Sequence, residues 1–221
     1  MSQCKRLAIA FLIGALCGAM VATALAAPPP GARTAHRIQQ TTIDGPRVCS
    51  ATAIGRHAVL TASHCEAPTD DILVDNRPAH IAERPVRDGH DHTILLISGL
   101  EFKDIAEVQQ NALEVGMEIH IFGNPADFPP NFYRAGRVSG IEAPPPLAML
   151  FGAQPLILLD INAFFGDSGS GLFNADGKVV GVFSVIIAEH ANIRGTPMIM
   201  KQGGAYGMTF EPAQLERAKT F

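Results

Sequence analysis

Little of this 221-residue sequence is charged, and the charge it has is nowhere concentrated. Charged residues make up 17%, the formal net charge is -4, and no basic run exceeds Lys5-Arg6. Binding to nucleic acid or to an anionic membrane surface needs a positive footprint, so both are excluded as partners. No repeat of solenoid length is visible, and no βαβ alternation that would build a parallel sheet. Cysteine is scarce too. Of four, Cys49 and Cys65 stand sixteen apart with no Cys-x-x-Cys pair, and the eight histidines show no His-x-x-x-His spacing. That excludes the usual zinc ligand sets, and neither a metal nor any other cofactor is expected.

What is present fits a globular chain with a substantial core, 47% of it hydrophobic. The 21 glycines and 16 prolines punctuate short apolar runs, which points to an all-β protein with many turns. The first 26 residues form a signal peptide: Lys5-Arg6, an apolar run from Leu7 to Leu25, then Ala24-Leu25-Ala26, the small-x-small pattern of a cleavage site. Cleavage is placed after Ala26, because a cut one residue later would set Pro28 beside the scissile bond. A lipid anchor at Cys17 is disfavoured by Leu16, where a small residue is expected. An uncleaved anchor is the alternative, the run being just long enough to span a bilayer. Cleavage removes two basic residues and takes the net charge from -4 to -6. Export, to the periplasm or beyond the cell, leaves Cys49 and Cys65 where disulfides persist, and an even pair suggests one bridge.

Residues 27–42, with Pro28-Pro29-Pro30, read as an extended, poorly packed lead-in, and the folded part starts near Ile43. Residues 43–112 and 113–221 form two halves, joined by a polar connection from Leu100 to Leu113. Val48 to Ile54 and His57 to Thr61 form a hairpin about Gly55-Arg56, and the second strand runs into Thr61-Ala62-Ser63-His64-Cys65. A Cys49–Cys65 bridge would fix the His64 imidazole in space. Asp91 opens the apolar strand His92-Thr93-Ile94-Leu95-Leu96-Ile97, and a carboxylate there needs a partner such as an imidazole N–H. Asp88, before Gly89, reads as a loop residue. Asn174-Ala175-Asp176-Gly177 is a turn, and Glu211-Pro212 opens a terminal helix with Leu215 as its docking residue.

The sharpest signal is Phe164-Phe165-Gly166-Asp167-Ser168-Gly169-Ser170-Gly171, a serine on a glycine-rich turn between apolar strands. A serine hydroxyl becomes a nucleophile only with a base in reach, a group that orients the base, and donors for the oxyanion. The string also fits an α/β-hydrolase elbow. That reading needs an aspartate and then a histidine after the serine, and His190 is the sole histidine among the last 53 residues.

The order His64, Asp91, Ser168, in the contexts Thr-Ala-Ser-His-Cys, Asp-x-x-Ile-Leu-Leu and Gly-Asp-Ser-Gly, resembles the chymotrypsin/trypsin-like serine proteases. Phe122-Gly123-Asn124-Pro125 and Ala135-Gly136-Arg137-Val138-Ser139 are similar to compact bacterial members such as the HtrA/Deg protease domains, here without a following PDZ module. The resemblance implies two packed six-stranded antiparallel β-barrels with the site between them. It implies His64 as general base, Asp91 as its orienting group, Ser168 as nucleophile, and the Gly166 and Ser168 N–H groups as oxyanion hole. Cys49 and Cys65 resemble the bridge beside the family's histidine.

The resemblance, aligned without a gap, implies that Asn162, six residues before Ser168, falls near the base of the S1 pocket; it is not aspartate, so a Lys or Arg preference is not supported. Phe164, Phe165, Ile186 and Ile187 imply a small or apolar P1 residue, and Ser184-Val185-Ile186 resembles the edge that pairs with substrate backbone. Asp167 needs a cationic partner, either a new terminus cut at Arg37-Ile38, which is disfavoured, or an internal Arg134 or Arg137. The expected protein is an exported, monomeric endopeptidase acting on protein or peptide substrates. The competing class is a protease-fold binding protein without turnover.

Overall fold

The computed structural model describes residues 28–42, 45–66, 69–110, 112–125, 128–142, 154–193 and 196–221, with side chains of 189–200 excepted. The expected signal segment, with Cys4 and Cys17, and the expected start at Ile43 lie outside the described residues. The chain is all-β, with two closed antiparallel barrels and one terminal helix.

The first barrel is built from β1 (Ala35–Thr42), β2 (Gly45–Gly55), β3 (Ala58–Ala62), β4 (Asp71–Val74), β5 (Arg77–Ile81) and β7 (His92–Ser98). They run in the order β3-β2-β1-β4-β5-β7 and close through β3 against β7. The two-residue strand β6 (Val86–Arg87) continues the β5 edge of β7. Alternation explains the closure. Ile38, Ala51, Val59, Leu95 and Ile97 turn inward, and the opposite face of β3 and β7 presents Leu60, Ile94 and Leu96 to the other barrel.

One expectation is revised here. β1 falls inside the supposed lead-in, so the barrel begins at Ala35 rather than Ile43. Its single large apolar residue, Ile38, is buried, and the rest of the strand is held by ladders to β2 and β4. The preceding Pro29–Gly31 turn also packs: His120 Nε2 meets the Pro30 carbonyl at 2.8 Å, and Gly31 lies against the Phe173 ring.

The second barrel takes β8 (Glu118–Gly123), β9 (Phe132–Glu142), β10 (Leu156–Asn162), β11 (Gly171–Phe173), β12 (Val179–Ile193) and β13 (Thr196–Tyr206). The order is β10-β13-β12-β11-β8-β9, closed by β9 on β10. The Asn174 turn forms as expected, its side-chain oxygen accepting the Asp176 and Lys178 amides. After β13 the chain crosses back. Helix α1 (Pro212–Thr220) starts with a capping box between Glu211 and Gln214 and lays Ala218 and Leu215 on the first barrel. Gly55 gives it room, since a Cβ there would sit 1.9 Å from the Ala218 carbonyl. Phe122, Phe173, Val182, Met208 and Phe210 meet Leu60, Ile94 and Leu96 in one core shared by both barrels. Among the described residues no helix is long and apolar enough to cross a membrane.

Candidate active site

β3 carries the chain to the seam between the barrels and ends in a 3-10 turn, Ser63–Cys65. The Cys49–Cys65 disulfide ties this turn to β2, and Arg47 donates to the His64 carbonyl at 2.7 Å. The His64 imidazole is thus held from both sides of its own backbone. Its Nδ1–H donates to Asp91 Oδ2 at 2.7 Å, and its backbone N–H donates to Asp91 Oδ1 at 3.0 Å. Both carboxylate oxygens are engaged by one residue, and the Asp91 side chain is only 3% exposed. A carboxylate this buried needs such donors to offset its lost hydration. Tyr206 registers it: burial, then the Asp91 charge, pushes its phenol up from the ordinary value. Asp88, the rival aspartate, pairs with His92 instead.

Ser168 sits half-exposed on the turn between β10 and β11. Gly166 and Gly169 flank it at φ +102° and +87°, a region costly for any residue with a Cβ. Space forbids one as well. A Cβ on Gly166 would lie 2.5 Å from the Asn124 carbonyl, and one on Gly169 would lie 2.1 Å from the Ser50 carbonyl.

The turn is tied across the seam by Ser50, which sequence reasoning missed. Ser50 N–H donates to the Ser168 carbonyl at 2.8 Å, and its hydroxyl donates to the Gly166 carbonyl at 2.8 Å. The same hydroxyl accepts the Asn124 N–H at 2.8 Å, and Thr61 caps the Ser50 carbonyl at 2.7 Å. Only its place as a small polar residue just before the run Ala51 to Ile54 could have marked it. Ser168 is thereby brought beside the His64 turn, with Cys65 Sγ 3.7 Å from its carbonyl oxygen. The Gly166 and Ser168 N–H groups have no protein acceptor among the described residues.

Asp167 is fully buried and points away from solvent into Arg134, whose Nη1 donates to its Oδ2 at 2.7 Å while Nη2 reaches Oδ1. Phe164 N–H adds a bond at 2.7 Å, and the guanidinium sits over both the Phe132 and Phe164 rings. Of the two arginines considered, Arg137 instead pairs with exposed Glu118. Ile38 is an interior residue of β1, paired with Cys49 and Val74, so the disfavoured cut at Arg37 would break a barrel strand.

The expected substrate residues lie on β10, on the nucleophile turn and on β12. Asn162 is exposed, faces Gln202 on β13, and receives Arg134 on its carbonyl at 2.7 Å. Phe165 is 76% exposed, with Lys201 Nζ 5.3 Å from its ring centre. Ser184 is buried; Val185 and Ile186 are partly exposed and pair with Gly204 and Gly203. Beyond Phe183, the edge of β12 opposite β13 has no strand partner among the described residues. The Phe183 ring fills the space a side chain at Gly203 would need, 2.3 Å from its Cβ position.

The family pattern of the trypsin-like peptidase domain matches residues 49–182. No curated protein matches the sequence. Solved structures do. The HtrA-type protease AlgW with tripeptide aligns with TM-score 0.61 and 20% identity over 80% of this chain and 57% of its own. The active form of the Rv3671c protease from M. tuberculosis gives 0.61 and 15% over 85% and 81%. The serine endoprotease from Yersinia pestis gives 0.55 and 15% over 80% and 60%. The chain therefore spans little more than half the length of the AlgW protease. At these identities the likeness is one of fold.

Proposed function

Because the chain belongs to the trypsin-like peptidase family, we propose that it is an exported serine endopeptidase using His64, Asp91 and Ser168. The observation that carries this reading is the paired grip of Asp91 on His64, at 2.7 Å to Nδ1 and 3.0 Å to the backbone N–H. With its proton fixed on Nδ1, the imidazole offers a lone pair on Nε2. Ser168 Oγ attacks the scissile carbonyl carbon and passes its proton to that nitrogen, and the imidazolium is stabilised by Asp91. The oxyanion accepts hydrogen bonds from the Gly166 and Ser168 N–H groups, which no protein acceptor occupies. His64 then protonates the leaving amine, and a water activated by the same nitrogen releases the acid from the Ser168 ester.

Substrate would add as a strand to the open edge at Ser184, Val185 and Ile186. Its P1 side chain would meet Asn162, Phe165 and the Phe183 ring, which favours small apolar residues over Lys or Arg. The Arg134–Asp167 pair supplies the cation that the turn needs, so activity requires no cut at Arg37. The disulfide supports an oxidising location, periplasmic or extracellular.

Labelling with a fluorophosphonate tests the reading: the purified mature protein is expected to label, Ser168→Ala and His64→Ala not. Absence of Ser168-dependent labelling would leave a binding protein on a protease fold. Peptides with alanine or valine at P1 are expected to be cleaved faster than those with arginine.

A further inference from the structure

A second His–Asp pair stands one residue from Asp91 and takes no part in the chemistry above. His92 Nδ1–H donates to Asp88 Oδ2 at 2.8 Å, and both side chains are 0% exposed. Asp88 gathers more donors. Its Oδ1 accepts the His90 N–H at 3.0 Å, its Oδ2 accepts the Thr209 N–H at 3.0 Å, and its backbone carbonyl accepts the Thr209 hydroxyl at 3.1 Å. Burial alone would raise the Asp88 pKa, but the His92 hydrogen bond and charge, then the Thr209 and His90 amides, hold it below the ordinary carboxyl value. His92 Nε2 is buried with no hydrogen-bond partner among the described residues, so the ring is held in the turn through Nδ1, facing Asp88.

The location gives the pair its meaning. β6 ends at Arg87 and β7 begins at His92, so residues 88–91 are the whole connection, and Asp91 is its last residue. The pair spans this turn from first residue to first strand residue and closes it with ionic hydrogen bonds in a dry site. Thr209, on the chain leaving β13, clamps the turn from the side of the second barrel.

We infer that Asp88 and His92 are positioning residues for Asp91: they fix the turn that presents its carboxylate to His64, and Thr209 couples that turn to the second barrel. The inference rests on the His64–Asp91–Ser168 reading. Neither residue touches the reacting atoms. Their effect is geometric, and a displacement of about 1 Å in a catalytic group costs roughly 10²-fold in rate.

The test compares the unaltered chain, His92→Leu, His92→Asn, Asp88→Asn and Thr209→Ala by steady-state kinetics on a peptide amide substrate and by thermal melting. An asparagine amide can replace the Nδ1–H donor, whereas leucine cannot. His92→Leu and Asp88→Asn are expected to lose about 10- to 100-fold in kcat with KM within about threefold, and His92→Asn to recover most of it. Parental kcat in His92→Leu overturns the inference, as does a loss confined to KM, or a His92→Asn as impaired as His92→Leu. If the buried variants do not fold, the exposed Thr209→Ala decides: a kcat loss at constant KM supports the coupling, and parental kcat overturns it. Ser168-dependent labelling of the unaltered chain is read in the same preparation, so failure of the triad reading shows there and failure of the positioning role shows only in the variants.

Discussion

Single atoms decide what the residues at the seam can do. Asp91 spends both oxygens on His64, so Asp91→Asn presents an amide N–H where an acceptor is needed and turns the imidazole to the wrong tautomer. Turnover is expected to fall by roughly 10⁴ with the melting transition preserved, measured as kcat on a peptide amide. Ser50→Ala removes one hydroxyl and leaves the Gly166 carbonyl and the buried Asn124 N–H unpaired. Its expected cost is about 1–3 kcal/mol in denaturant unfolding, with kcat lowered more than KM is raised. Asp88 gives a pH signature. Its folded pKa lies below 3.8, so its stabilisation is complete above that value and disappears as pH falls through the lower folded value. The melting temperatures of the unaltered chain and Asp88→Asn should therefore diverge near neutral pH and converge below about pH 3.8. A gap that widens in acid would contradict the bonding described for this carboxylate.

At the scale of elements, what could be read from the sequence was whatever announces itself locally. Gly166, Ser168 and Gly169 form a compact string, and the strands after Ala62 and Asp91 are dense in Ile, Leu and Val. β1 was hidden for the opposite reason. Its Gln39, Gln40, Thr41 and Thr42 show no apolar alternation, and the strand exists because β2 and β4 each supply a ladder. Asp88 looked like a loop residue because Gly89 follows it, and only the arrival of Thr209 and His92 buries it. Ser50 was silent because the partners of its hydroxyl lie more than seventy residues away along the chain. Partners that distant cannot be inferred from neighbours in sequence. The β2–β3 hairpin and the nucleophile turn meet so closely that Gly169 has no room to change. Gly169→Ala adds a Cβ against the Ser50 carbonyl and Thr61 Oγ1 at a positive φ, and is expected to cost on the order of 1–3 kcal/mol and to abolish fluorophosphonate labelling.

Across the whole molecule, two barrels that each have an inner core also share one between them, sealed by a helix that returns to the first barrel from the end of the chain. Such a seam makes unfolding and loss of activity separable, because groups from the two sides can part before either barrel opens. The Cys49–Cys65 bridge spans the supports of both sides: Cys49 adjoins Ser50, which grips the nucleophile turn, and Cys65 adjoins His64. Reduction is expected to lower stability by about 3 kcal/mol and to diminish labelling of Ser168 at denaturant concentrations where circular dichroism is unchanged. On the export and peptidase activity proposed above, the newly made chain would lack this tie in a thiol-rich cytoplasm, and oxidation outside the cell would be the step that completes the site.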